Sequence, residues 1–135
     1  IAMLKKIIIL SFLSLLFLVP QSKAQAQECF LGEVKMFAGN FAPRGYSFCH
    51  GQLLPISNNS ALFSLLGTIY GGDGRTTFAL PDLRGATPVG AGTAPGMTEI
   101  KIGQRIKLAT EGENARSGLG MNYIICMQGT YPSRN

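Results

Sequence analysis

The hydrophobic pattern is clearest in residues 60–85, where it predicts a short helix, a glycine turn, an extended run and a second turn. Apolar residues recur with a helical period at four positions, Ala61, Leu62, Leu65 and Leu66. Gly67 follows them where a C-cap glycine is typical, and Ser57 is the N-cap residue that we expect before them. This stretch therefore predicts one short helix that packs one face against a core.

Turn residues follow the helix and bracket a β-favouring run at residues 76–80. Three glycines surround Asp73 and give the backbone the freedom that a tight turn requires. The run stops at Pro81, and Arg84 lies close enough to pair with Asp82 or with backbone carbonyls. We therefore expect structural roles for the residues of both turns: Gly71, Gly72, Gly74, Pro81, Asp82, Arg84 and Gly85.

Short strands account for most of the remaining pattern. Residues 33–38 alternate, with Val34 and Met36 on one face and Lys35 on the other. Residues 46–49 and 52–54 flank His50 and Gly51, which predicts a hairpin turn. Further strands are expected around Ile100, Ile102, Ile106 and Leu108, although Gly103 interrupts them, and at residues 123–127. The fold class that follows is α+β and mostly β: a small domain of short strands with one short helix.

The N-terminal residues have the pattern of a secretory signal peptide. Two lysines, Lys5 and Lys6, precede an apolar run at residues 7–19, and the small-residue site at residues 24–26 follows. A membrane anchor is the alternative, but the run is shorter than the roughly 20 residues of a transmembrane helix. We expect a start at Met3, a signal peptide within residues 1–26 and a mature domain at residues 27–135. The mature protein would be periplasmic or extracellular, without a stable membrane span.

The net charge of the predicted mature domain is lower than that of the whole chain. The chain has 12 basic and 7 acidic residues, and three of the lysines lie in the predicted leader, which leaves a net charge of +2. The remaining basic residues are scattered, whereas nucleic-acid binding normally shows a basic stripe. We therefore expect no nucleic-acid partner.

Three cysteines in an exported chain allow three single disulfides with one thiol left over. A bridge from Cys29 to Cys126 would join the two ends of the mature domain, and three free or buried thiols are an equal alternative. The wide spacing of Cys29, Cys49 and Cys126 lacks the close pairs of a zinc site, so no metal is expected.

Catalytic chemistry is sparse along the chain. His50 is the single histidine, and its neighbour Cys49 would point to the opposite face of an extended segment. Asp73 and Asp82 are better explained as turn residues than as an acid–base pair. The sequence GGDG lacks the lysine of a P-loop and the alternating ligands of an EF-hand. We expect neither enzymatic activity nor a cofactor.

The chain resembles the phage tail collar domain family, which includes microcystin-dependent-protein-like bacterial members. The resemblance rests on ALFSLLGTIYGGDGRTTFALPDLRG, supported by FLGEVKMFAG, APRGYSFCHGQLL and NYIICMQGTYPSRN in the same order. Tyr46 replaces the usual tryptophan, and His50 replaces a more common Asp or Asn. The segment at residues 95–120 is short and lacks the His-x-His motif of longer members. A histidine-bound axial metal is therefore not implied.

The resemblance implies a trimeric structural protein that attaches to a cell-surface glycan or another surface partner, and the leader pattern implies that it is exported. Tyr70, Asp73 and Arg75 are the candidate ligand-binding residues, and the loops at residues 40–45 and 71–75 are the candidate contact regions. One alternative is a monomeric secreted carbohydrate-binding module with an aromatic stacking platform. A hydrolase is the other, and it would require carboxylates with perturbed pKa values in a pocket.

Overall fold

A computed structural model describes residues 1, 3, 29–108 and 118–134 of the chain. Its order of elements is β1 (Val34–Phe37), β2 (Tyr46–Phe48), β3 (Leu53–Pro55), a 3-10 helix (Ile56–Asn58), α1 (Ser60–Leu66), β4 (Thr77–Ala79) and β5 (Asn122–Cys126). These elements confirm a small, mostly β, α+β fold. The predicted signal peptide lies outside the described residues, apart from residues 1 and 3. No helix in the described part of the chain is long and apolar enough to cross a membrane.

The strands form two small antiparallel sheets. A three-stranded sheet has the order β1-β5-β2, so the strand nearest the C-terminus lies between the first two. β3 and β4 form the second sheet, in which Leu54 lies opposite Phe78. The predicted strands near residues 76–80 and 123–127 are thus present, as β4 and β5.

The core lies between the two sheets and α1. Three of its fully buried residues are Phe78 in β4, Leu80 directly after β4, and Ile125 in β5. Leu62 is the buried residue of α1, and Phe63 packs on Phe78 with ring centroids 5.5 Å apart. The helix ends as predicted, because Gly67 takes a positive φ of 53° and its N–H donates to the Phe63 carbonyl at 2.8 Å.

Ser57 is not the N-cap of the helix, contrary to the sequence prediction. It lies within the 3-10 helix, and Asn59 occupies the N-cap position of α1 without a side-chain capping bond. The Asn59 side-chain amide instead donates to the Pro55 carbonyl at 2.9 Å, which stabilises the 3-10 turn. The 3-10 helix thus delays the start of α1 beyond the first good capping residue.

The predicted hairpin around His50 and Gly51 is wrong, although Gly51 does take a positive φ of 70°. β2 pairs with β5 while β3 pairs with β4, so the chain crosses from one sheet to the other here. The Gln52 side chain stabilises this crossing, with its amide donating to the Phe48 carbonyl at 2.8 Å. A glycine turn between two strands indicated a reversal but not which partners the strands would choose.

The predicted strands around residues 100–108 are also wrong. This segment forms a single bridge between Ile100 and Gly92, followed by a turn in which the Gln104 N–H donates to the Lys101 carbonyl at 3.0 Å. Gly103 takes a φ of 81°, which breaks an extended run.

Candidate functional site

The glycine turn after α1 is organised by the Asp73 carboxylate. Its Oδ1 accepts backbone N–H bonds from Arg75, Thr76 and Thr77 at 2.8 to 2.9 Å. Its Oδ2 accepts the Thr76 hydroxyl at 2.7 Å. The Thr76 hydroxyl, followed by these backbone N–H groups, holds the pKa of Asp73 well below its usual range. Both carboxylate oxygens are thus engaged by the turn itself.

Gly72 lets this turn fold back closely on β4. Its φ is 93°, and a Cβ added there would lie 2.6 Å from the Thr77 carbonyl oxygen and 2.8 Å from the Phe78 nitrogen. The Ala79 N–H donates to the Gly71 carbonyl at 3.0 Å, which joins the turn to the strand. Residues 71–77 are therefore a closed structural unit.

The second turn is held by an ion pair between Asp82 and Arg84. The Arg84 guanidinium donates from Nε to Oδ1 at 2.9 Å and from Nη2 to Oδ2 at 2.8 Å. This contact holds the pKa of Asp82 below its usual range and raises that of Arg84. Gly51 packs against the same turn, its N–H donating to the Pro81 carbonyl at 3.1 Å.

A groove of about 680 Å³ opens beside the second turn. One wall is formed by residues 85–91, and the other by residues 100–108, which we call the groove segment. Ile69 and Tyr70 line the groove together with residues 81–83. Two contacts secure the groove segment: Arg105 Nη2 donates to the Asp82 carbonyl at 3.0 Å, and the close approach of Gly103 to Ile69 leaves no room for a Cβ.

The structure separates the three ligand-binding candidates. Tyr70 is half-buried and lines the groove, whereas Asp73 and Arg75 lie in the glycine turn and do not line it. The Arg75 backbone N–H bonds to Asp73, and its exposed side chain contacts no described residue. Sequence reasoning missed Lys101 and Arg105, which line the groove. Their interleaving with Ile100, Ile102 and Ile106 was the available signal, and it was interpreted as strand periodicity.

The cysteines have distinct roles in the structure. Cys29 and Cys126 form a disulfide with their Cα atoms 6.2 Å apart, so of the two alternatives the bridged one is present. Cys49 is a free thiol that is 1% exposed, and burial raises its pKa to about 11. His50 points elsewhere, with its ring stacked on Phe48 at a centroid distance of 4.9 Å. Within residues 29–108 and 118–134, no group of three or more His, Cys, Asp or Glu side chains could hold a metal ion.

Comparison with known proteins agrees with the turns and strands described above. The family model of the Phage Tail Collar Domain matches residues 32–88, which span β1 to the end of the second turn. No curated protein matches the chain. The matched residues contain both turns, α1 and four of the five strands, and they confirm the family resemblance found in the sequence. Residues 32–88 of the chain are thus similar to the phage tail collar domain, which belongs to a structural family of tail-fibre proteins.

Proposed function

We propose that residues 27–135 form an exported structural domain that assembles as a trimer and attaches to a surface glycan. The observation that carries this proposal is the collar-domain match at residues 32–88. We infer both the trimeric state and the attachment to a glycan from the resemblance to collar domains on phage fibres. The domain acts by display and attachment rather than by catalysis.

Export is supported by the disulfide as well as by the leader pattern. Disulfides persist in oxidising compartments and are rare in the cytosol. The Cys29–Cys126 bridge lies a few residues beyond the predicted cleavage before Gln27, so it would remain in the mature protein. N-terminal sequencing of the exported protein should therefore begin at Gln27.

Self-assembly is supported by apolar side chains on the outer strand β1 that lie on the core-facing side of the sheet but remain exposed. Met36 lies opposite Tyr123 in the sheet register, so both side chains share the face that packs on the core. Tyr123 is half-buried, but Met36 on the outer strand β1 is 63% exposed, as is Phe41 nearby at 61%. Outer strands and exposed apolar side chains are commonly covered by oligomerisation. We place one assembly contact at Met36.

A non-enzymatic role is supported by the state of the carboxylates. Asp73 and Asp82 both have lowered pKa values because the turns engage them, whereas a general acid requires a raised pKa. The His50 ring is stacked on Phe48, and it forms no hydrogen bond or ion pair with the carboxylate of Asp73 or Asp82.

Sedimentation equilibrium of the protein exported from the full-length chain tests the assembly. We expect a mass three times that of the protomer, and a strictly monomeric species at high concentration would contradict the proposal. Met36→Lys should shift the protein toward monomer because it places a charge in the contact. Met97→Lys is the matched control, since Met97 is 64% exposed and is not part of β1.

A monomeric secreted carbohydrate-binding module is the second candidate, favoured by the position of Tyr70 in the groove. It predicts sugar binding without a trimer, so sedimentation separates it from the proposed function. A glycan array with Tyr70→Ala and Arg75→Ala then tests recognition. Loss of binding with Tyr70→Ala alone would place the glycan in the groove, and loss with Arg75→Ala alone would place it at the glycine turn.

A further inference from the structure

We infer that the groove binds an acidic sugar, with the sugar carboxylate at Lys101 and Arg105 and a pyranose face against Tyr70. This inference rests on the proposed attachment to a glycan, and it specifies the chemical class of that glycan. It places the binding site beside the glycine turn, between Tyr70 in the collar match and the groove segment beyond that match.

The size and composition of the groove suit a sugar. A volume of about 680 Å³ is within the range of small-molecule sites. Its apolar lining includes Ile69, Val89 and Ile102, and Tyr70 supplies the aromatic ring. Aromatic rings stack on the apolar C–H faces of pyranoses, while the hydroxyl groups of the sugar remain hydrated at the open side.

The charge of the groove selects an acidic ligand. Lys101 and Arg105 are the two basic residues that line the groove. Neither forms an ion pair with a described residue. Asp82 is the single carboxylate in the lining, and Arg84 already holds both of its oxygens. The lining thus carries two cations and one carboxylate that Arg84 already engages, and a carboxylate on the ligand is the complementary group.

Arg105 is pre-positioned for this contact. One of its N–H groups donates to the Asp82 carbonyl at 3.0 Å, which fixes the guanidinium while other donors stay available. A fixed guanidinium matches a carboxylate in planar, paired hydrogen bonds, and Lys101 adds a mobile charge. A neutral sugar offers these cations only hydroxyl groups, which form weaker hydrogen bonds with them than a carboxylate does.

Calorimetric titration of the exported protein with trigalacturonate and with neutral galactotriose tests the inference. We expect trigalacturonate to bind at least about tenfold more tightly, because charge-assisted bonds to the carboxylate are stronger than neutral ones. Lys101→Gln should reduce that affinity by about tenfold without affecting the melting temperature, since its side chain is exposed and forms no hydrogen bond or ion pair with a described residue. Arg105→Gln should reduce it further.

Arg44→Gln is the matched control, because Arg44 is exposed, forms no hydrogen bond or ion pair with a described residue and lies outside the groove lining. Equal loss with Arg44→Gln and Lys101→Gln would show general charge attraction and overturn the inference. Equal binding of the two trisaccharides would overturn the acidic class while leaving glycan attachment intact. Absence of binding by a protein that sediments as a trimer would overturn the inference but not the assembly.

Discussion

The collar segment, residues 32–88, and the groove segment, residues 100–108, are similarly apolar but differ in how they are held. Phe78 in β4 is completely buried in the core cluster, which also contains Leu62 of α1 and Ile125 of β5. Ile102 in the groove segment is 66% exposed. Hydrophobic residues thus fix the first segment, whereas a bridge at Ile100 and the Arg105 contact hold the second. The comparison separates the segment that specifies the fold from the segment that supplies the basic lining residues of the groove.

Truncation of one apolar side chain in each segment should give the largest contrast. Phe78→Ala should lower the free energy of unfolding by about 3–5 kcal/mol, because it leaves a cavity in the core. Ile102→Ala should change it by less than about 0.5 kcal/mol, as exposed substitutions usually do. Urea unfolding followed by circular dichroism measures both. Similar losses for the two variants would show that the groove segment belongs to the core.

Removal of the disulfide should have the next largest effect. Cys29→Ser with Cys126→Ser should lower the free energy of unfolding by about 2–5 kcal/mol, since the bridge closes a long loop that includes both segments. Replacing both cysteines leaves neither bridging residue as an unpaired thiol. Urea unfolding again measures the loss of unfolding free energy. The oxidised and reduced forms of the unmodified protein provide the control. A reductant that leaves the unfolding midpoint unchanged would contradict the prediction.

Two glycines with positive φ test the packing of the glycine turn. Gly72→Ala should destabilise by roughly 3 kcal/mol or more, because it combines backbone strain with a collision against β4. Gly85→Ala is the control, with a φ of 62° and no atom within 4 Å of an added Cβ, and it should cost about 1 kcal/mol. Thermal unfolding compares the two. Equal losses would mean that strain alone matters and that the turn does not pack closely.

Acid should destabilise the protein through the turn carboxylates. Because the folded-state pKa values of Asp73 and Asp82 are lowered, their stabilisation is present above the unfolded pKa of about 3.9 and is lost as pH falls below it. Urea midpoints between pH 7 and pH 2.5 should fall, and Asp73→Asn should make that fall shallower. Lys101→Gln should leave the slope unchanged. An identical pH profile for Asp73→Asn would contradict the assigned role of Asp73.

The sequence predictions succeeded where local patterns decide the structure, as in α1 of the collar segment, and failed where contacts distant in sequence decide it. The period of Leu62, Leu65 and Leu66 with Gly67 after them predicted α1, because local periodicity and a cap suffice for a short helix. The hairpin at Gly51 failed because strand partners are chosen by contacts distant in sequence. The groove could not be predicted for the same reason, since its Arg105 is anchored on Asp82 by a fold that brings the two together. Tyr70, a ligand-binding candidate from the sequence, lines the groove together with Lys101 and Arg105, which sequence reasoning did not name.

The most direct test of the division between the two segments is amide hydrogen exchange of the exported protein with its disulfide intact. Four backbone N–H groups make comparable hydrogen bonds: Leu80 and Cys126 in the core region, and Gly92 and Ile100 at the groove. Leu80 and Cys126 should exchange only through global unfolding, and Gly92 and Ile100 should exchange orders of magnitude faster through local opening. Equal protection of all four amides would contradict the separation of a fold-specifying segment from the groove segment.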